Sequence, residues 1–227
     1  MKKVFPTVRC VVVVLLAATV LIARPTANLL AQSVASDKGK LADGRTVAAA
    51  YRALQQKNAS LAERRFREVL AHSPGDGSAL AGMGYIAMRR QDFVSALYWL
   101  KKAERHGQHN AGLRHAIAIA RFWLQMNAAE SALSHHQLQA AETSARKALA
   151  IQPRNPNATL LLARVLAADG RLPAAIVLDR QVAVADPASA EAWSGWLKTS
   201  TALHQPQPPL AAFDRLPPNA QAHLRQN

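Results

Sequence analysis

Residues 80–103 read LAGMGYIAMRRQDFVSALYWLKKA, and this stretch decides the fold. Small and apolar residues recur in it at intervals of three and four, in two runs separated by a polar break. The first run is Leu80, Met83, Gly84 and Ala87, and the second is Phe93, Ala96, Leu97, Leu100 and Ala103. Those intervals predict two amphipathic helices joined by a short turn. Gly84 and Ala96 are expected where the helices cross, because a minimal side chain lets two helix axes approach closely.

The hairpin recurs along the chain at a regular interval. The spacing from Ala62 to Ala96 is the same as the spacing from Ala141 to Ala175. Prolines 153 and 187 repeat this spacing at the predicted ends of second helices, where a residue without a backbone N–H stops a helix. A period of about 34 residues predicts an all-α solenoid of antiparallel helix pairs.

The spacing is interrupted once. Ala96 and Ala141 are 45 residues apart, which is one period plus 11. Residues 112–134 within this interval carry apolar side chains and no strong helix breaker after the opening glycine. We therefore predict an insertion near residues 105–135, either a lengthened first helix or an extra turn.

Residues 1–35 have the layout of an export signal. Three basic residues precede the apolar run 10–23, and the small residues Ser33, Val34 and Ala35 come later. The run is shorter than the roughly 20 residues that span a bilayer, so a cleaved signal is predicted, with an uncleaved N-terminal anchor as the alternative. Either form predicts an exported protein of the bacterial periplasm or cell envelope. The single cysteine, Cys10, lies in this segment, so the processed chain would use neither a disulfide nor a catalytic thiol.

The chain is strongly basic. Without its first 35 residues it retains 24 basic and 14 acidic residues, a net charge of +10. Such a charge favours acidic proteins, anionic polysaccharide or an envelope surface as partners. Export disfavours nucleic acid, and a membrane would be contacted only through an uncleaved signal. Because the basic residues are spread along the helices, a solvated face explains them equally well.

The repeats resemble those of the tetratricopeptide repeat family. The residues that carry the resemblance are Leu80, Met83, Gly84, Ala87, Ala96, Leu100 and Ala103, followed by Ala141, Ala148 and Pro153. It covers about residues 43–203 and implies four to five units in a right-handed superhelix whose first helices line a concave groove. Residues 36–42 are predicted to be a flexible leader, and residues 204–227 a proline-rich tail with a possible capping helix.

A narrower resemblance concerns two segments. Residues 84–103 and the ending AWSGWLKTSTALHQPQPPLAAFDRLPP, residues 192–218, are similar to the periplasmic repeat region of the outer-membrane component of bacterial cellulose synthase. That family carries many more repeats than the four to five predicted here. The resemblance implies a relative of the repeat portion, with a role in exopolysaccharide synthesis and export.

No set of residues predicts catalysis, a cofactor or a metal. The histidines that cluster in the sequence are His106, His109 and His115, with the adjacent pair His135 and His136. They lack the cysteine or carboxylate ligands that accompany histidine in zinc sites, so we predict solvated surface residues. An enzyme with an unrecognised histidine site is the remaining alternative.

The concave groove is the candidate binding site. The residues expected to face it are Tyr51, Gln55, Tyr85, Met88, Arg89, Arg164 and Lys198, with Phe122 or Trp123 from the irregular unit. Tyrosine, tryptophan and arginine most often carry interface energy, and aromatic rings can also stack on sugars. The alternative is that Tyr85, Phe122 and Trp123 pack between hairpins as core. The pattern thus predicts a non-enzymatic protein-binding scaffold, with an exopolysaccharide accessory factor as the alternative.

Overall fold

The computed structural model describes residues 43–204, together with Gly39 and Gln221. The described residues contain helices and no strand, so the all-α prediction is confirmed. Helix α1 covers residues 43–55, and the helices that follow are α2 Ala59–His72, α3 Gly77–Arg89, α4 Phe93–Arg105, α5 Ala111–Ser134, α6 Leu138–Ile151, α7 Pro156–Ala168, α8 Leu172–Ala185 and α9 Ala190–Ala202. In this part of the chain no helix combines the length and the apolar character needed to cross a membrane.

The predicted termini fall largely outside the described residues. This holds for the export signal and for nearly all of the leader and the tail. Gly39, within the predicted leader, and Gln221, within the predicted tail, are helical.

A left-handed residue marks the turn after each odd-numbered helix. These residues are Lys57, Gln91, His136, Gly170 and His204, with φ of 62°, 60°, 56°, 76° and 52°. Successive members of this set are equally spaced along the chain, except for the longer interval between Gln91 and His136. A positive φ is uncommon for residues other than glycine, so its recurrence shows that one turn geometry repeats along the chain. Gly107, with φ of 88°, follows α4 and lies outside this regular spacing. The spacing therefore identifies helices α1, α3, α5, α7 and α9 as the first helices of successive hairpins.

The 11 extra residues lie in α5. This helix has 24 residues, whereas α3, α7 and α9 have 13 each. Eleven residues make about three helical turns, so the added length leaves the two ends of the helix facing the same way. The insertion thus extends one helix by about three whole turns.

The described chain divides into two compact units, which we call unit 1 (up to Gly82) and unit 2 (from Met83). Unit 1 is built around Phe66, which is fully buried. The ring of Tyr51 packs edge-on against Phe66 at 5.1 Å, and its hydroxyl donates a 2.8 Å hydrogen bond to the carbonyl of Ser78. A Cβ on Gly82 would lie 2.2 Å from the Phe66 ring, so only glycine fits beneath it.

Unit 2 is a helical-repeat solenoid. Helices α4 to α9 pack in succession, each on the next, around a core that includes Phe122, Met126, Leu161 and Ala175. Helix α7 also contacts both α5 and α9. The first helices therefore lie side by side and form one face of unit 2.

A buried ion pair joins α6 to the start of α8. The carboxylate of Glu142 is buried and accepts a hydrogen bond from the guanidinium of Arg171. Arg146, one turn further along α6, lies 2.7 Å from the same carboxylate, and Arg171 also lies 2.7 Å from Asp169. The bond from Arg171 lowers the pKa of Glu142, and the charge of Arg146 acts in the same direction.

Candidate functional site

A small cavity opens between the first helices α7 and α9. Its volume is about 190 Å³, and its walls are formed by Leu160, Ala163, Arg164, Ala167, Asp179, Glu191, Gly195, Lys198 and Thr199. Within each of α7 and α9 the lining residues follow helical spacings of three and four, so each helix presents one face to the cavity. Helix α8 lies behind them and contributes the floor.

Charged side chains surround the mouth of the cavity. Arg164 on α7 and Glu191 on α9 form an ion pair at 3.4 Å, with 50% and 55% of their side chains exposed. Lys198 on α9 is also exposed. Such exposed pairs contribute little to stability, so these side chains remain available to a ligand.

The floor of the cavity holds a buried carboxylate. Asp179 on α8 is only 5% exposed, and within residues 43–204 its carboxylate has neither a hydrogen bond nor an ion pair. The hydroxyl of Thr199, which lines the same cavity, donates to the carbonyl of Gly195 at 2.8 Å. A buried charge without partners is costly, which makes Asp179 the exceptional residue of this site.

Gly195 makes room for that carboxylate. A Cβ on this residue would lie 2.7 Å from both Asp179 oxygens. Burial, together with the negative charge of Glu191, raises the pKa of Asp179 to about 7. The carboxyl group is therefore held near its midpoint of ionisation at neutral pH.

Two of the predicted groove residues meet at this cavity. Arg164 and Lys198 stand on its opposite sides, on α7 and α9. Sequence reasoning missed Asp179, Glu191 and Thr199. Asp179 could have been found from its position four residues after Ala175 on α8, which places it on the buried stripe of that helix.

Two other predicted residues lie in unit 1. Tyr51 is half-buried and uses its hydroxyl within the unit, as described above, whereas Gln55 is exposed. Neither lines the cavity.

Three more predicted residues lie on α3. Tyr85 and Met88 are half-buried, and Arg89 is exposed. Burial raises the pKa of the Tyr85 phenol. This helix does not contribute to the cavity between α7 and α9.

The two aromatic residues of the irregular unit have different environments. Phe122 is 1% exposed and belongs to the core of unit 2, so it is not a surface contact. Trp123 is 39% exposed and stacks on Phe93 with ring centroids 6.1 Å apart. Only Trp123 of this pair is accessible to a ligand.

The clustered histidines among the described residues do not assemble into a site. His106, His109, His115, His135 and His136 are all exposed. Among the residues that the structure describes, no group of three or more histidine, cysteine or acidic side chains could hold a metal ion.

Comparison with known proteins confirms both resemblances. Residues 47–111 and 126–193 match the tetratricopeptide repeat family. Cellulose synthase operon protein C of Xanthomonas axonopodis pv. citri (strain 306) is 33% identical over 183 residues, which cover 78% of this chain and 12% of that protein. The protein of the same name from Pseudomonas fluorescens (strain SBW25) is 25% identical over 173 residues, covering 76% of this chain and 13% of that one. The chain thus spans about an eighth of these relatives' length.

Solved structures resemble the chain more distantly. The crystal structure of PilW, a widely conserved type IV pilus biogenesis factor, aligns with a TM-score of 0.46 at 17% identity, covering 82% of this chain and 93% of that chain. PilF of Pseudomonas aeruginosa aligns with a TM-score of 0.47 at 14% identity, covering 82% and 90%.

Proposed function

Because the chain belongs to the tetratricopeptide repeat family, whose members generally act as non-catalytic scaffolds, we propose that it binds a segment of a partner protein across α7 and α9. It does so in the periplasm or cell envelope. The observation that carries this proposal is the cavity, where exposed Arg164 and Lys198 stand above the buried carboxylate of Asp179.

The size of the cavity favours a protein segment over a free small molecule. Small-molecule sites usually enclose roughly 300 Å³ or more, whereas this cavity has about 190 Å³. That space suits one side chain of a segment that continues over the helix face. Arg164 and Lys198 can donate hydrogen bonds to the carbonyl oxygens or acidic side chains of such a segment.

Two features of the sequence support the proposed location. Residues 1–35 have the layout of an export signal, and the remaining chain carries a net charge of +10, which suits acidic groups at the envelope.

The likeness to cellulose synthase operon protein C supports a second candidate function. In this alternative the chain is an accessory factor of cellulose-like exopolysaccharide synthesis and export, and it binds glycan or the synthase complex. Retention of cello-oligosaccharides by the purified full chain would favour glycan binding, and retention of a protein alone would favour the scaffold.

Removing the two basic groups at the cavity is expected to abolish partner binding. In the full chain, Arg164→Ala with Lys198→Ala should cost about 2 kcal/mol or more of binding free energy, because truncated interface arginines and their neighbours often cost this much. The measurement is the amount of partner protein retained from envelope extract. The matched control is Arg121→Ala with Lys147→Ala, which removes two exposed basic side chains from α5 and α6. Equal retention by both double variants would contradict the proposal.

A further inference from the structure

The unpaired carboxylate of Asp179 indicates what the cavity binds. Burial removes most of the water around this group, and two of the donors that line the cavity are engaged elsewhere: Thr199 donates to the carbonyl of Gly195, and Arg164 pairs with Glu191. The third, Lys198, is exposed and forms no ion pair with Asp179 among the described residues. A buried carboxylate without donors lowers the stability of the chain. A ligand that brings donors would recover that free energy, and it would do so most fully if it also brought a positive charge.

We propose that Asp179 binds the cationic head of a lysine or arginine side chain, which the partner segment inserts between α7 and α9. This inference rests on the proposed function and names the residue type that the segment must contain.

The walls of the cavity fit the stem of such a side chain. Leu160, Ala163 and Ala167 of α7 present aliphatic surface above the carboxylate. Lysine and arginine bury their methylene stems against such surface while the charged head reaches a polar group. The nine lining residues include no aromatic side chain, so the cavity offers no platform on which a sugar ring could stack.

The charges that face Asp179 allow a cation to enter. On α7 the charge of Arg164 is balanced by its pairing with Glu191 of α9. Lys198 of α9 is the one lining cation without such a pair in the described chain, and it is exposed, so water and salt screen it. Asp179 is then the acidic group that attracts an incoming cation, and the opposing charge of Lys198 is weakened by solvent.

The proposal is tested with the full chain and short serine–glycine peptides that differ only in a central lysine, norleucine or glutamate. Titrations followed by NMR are expected to show binding of the lysine peptide alone. Asp179→Asn should weaken that binding about 10-fold or more, because hydrogen bonds to charged groups contribute strongly. Asparagine keeps the shape of the side chain, and the heat-denaturation midpoint of the variant shows whether it remains folded.

Glu130→Gln is the matched control, because it removes one exposed acidic charge from α5 and should leave binding unchanged. Equal binding of the lysine and norleucine peptides would overturn the proposal, as would an Asp179→Asn variant that binds like the wild type. Binding of cello-oligosaccharides that depends on Asp179, without binding of the lysine peptide, would also overturn it and would identify a glycan site.

The pH dependence supplies a second readout. Only the ionised carboxylate attracts the cation, so binding of the lysine peptide should strengthen as pH rises through the pKa of Asp179, which is about 7. The charged groups that face Asp179 are Arg164 on α7 and Glu191 and Lys198 on α9. Binding that does not change with pH would count against the proposal.

The two proposals fail separately. If partner retention depends on Arg164 and Lys198 but is unchanged in Asp179→Asn, the segment binds without a basic side chain in the cavity. If retention is unaffected by the Arg164 and Lys198 substitutions, the proposed function fails whatever the peptides do.

Discussion

Gly84→Leu is expected to destabilise unit 2 by about 3 kcal/mol, at the upper end of the usual cost of overpacking a core. A Cβ on Gly84 would lie 2.6 Å from the Cγ and Cδ2 atoms of Leu100 and 3.2 Å from its backbone nitrogen. Leu100 is fully buried in α4. Its side chain could change rotamer, but its backbone nitrogen cannot move away, so the two helices would have to separate. The free energy of unfolding in urea measures the effect.

Gly112→Leu provides the matched control. A Cβ at this exposed position in the first turn of α5 would meet only the side-chain oxygen of Asn110, at 3.4 Å. The same substitution should therefore change stability by no more than about 0.5 kcal/mol. If the two variants unfolded alike, Gly84 would not lie at the crossing of α3 and α4.

Arg171→Met is expected to destabilise the chain at neutral pH, and by more than Arg146→Met does. Breaking a buried ion pair typically costs about 3–5 kcal/mol, but Arg171 is 43% exposed and Glu142 keeps its contact with Arg146, so we expect less. The variant is destabilised because the buried carboxylate of Glu142 loses its charge-assisted hydrogen bond.

The same variant should become more sensitive to acid. The pKa of Glu142 is lowered in the folded chain, so its contribution to stability is present above its unfolded pKa and is lost as pH falls through the folded value. Without Arg171 the folded pKa of Glu142 rises, and the loss of stability begins at higher pH. Acid denaturation followed by circular dichroism measures this shift.

Arg146→Met is the control for the ion-pair prediction. Arg146 contacts the same carboxylate from its own helix and is 61% exposed, so its removal should cost less than the loss of Arg171. An effect of Arg146→Met equal to or larger than that of Arg171→Met would contradict the view that the link between α6 and α8 is the stabilising one.

The repeat architecture could be predicted because its determinants are local. Small residues at 62, 96, 141 and 175 are all fully buried, as their regular spacing predicts. Spacing alone could not decide how the 11 extra residues fold. The structure shows one long helix, which is consistent with the absence of glycine and proline from residues 113–134.

The candidate site was only partly predictable. Arg164 and Lys198 could be found because the family pattern predicts which face of a first helix lines the groove. Asp179 and Gly195 belong to different helices, and their relation depends on how α8 and α9 pack. Helical spacing places Asp179 on the buried stripe of LPAAIVLDRQVAVA, but its lack of a partner depends on tertiary packing.

Site-specific photo-crosslinking tests the central claim most directly. A photoreactive residue would replace Lys198 at the cavity or, as the control, Lys147 on α6, in the full chain produced in bacterial cells. We predict a defined protein adduct from position 198 that is absent from position 147 and is reduced by Arg164→Ala. No protein adduct at position 198, or the same adducts at both positions, would contradict the account.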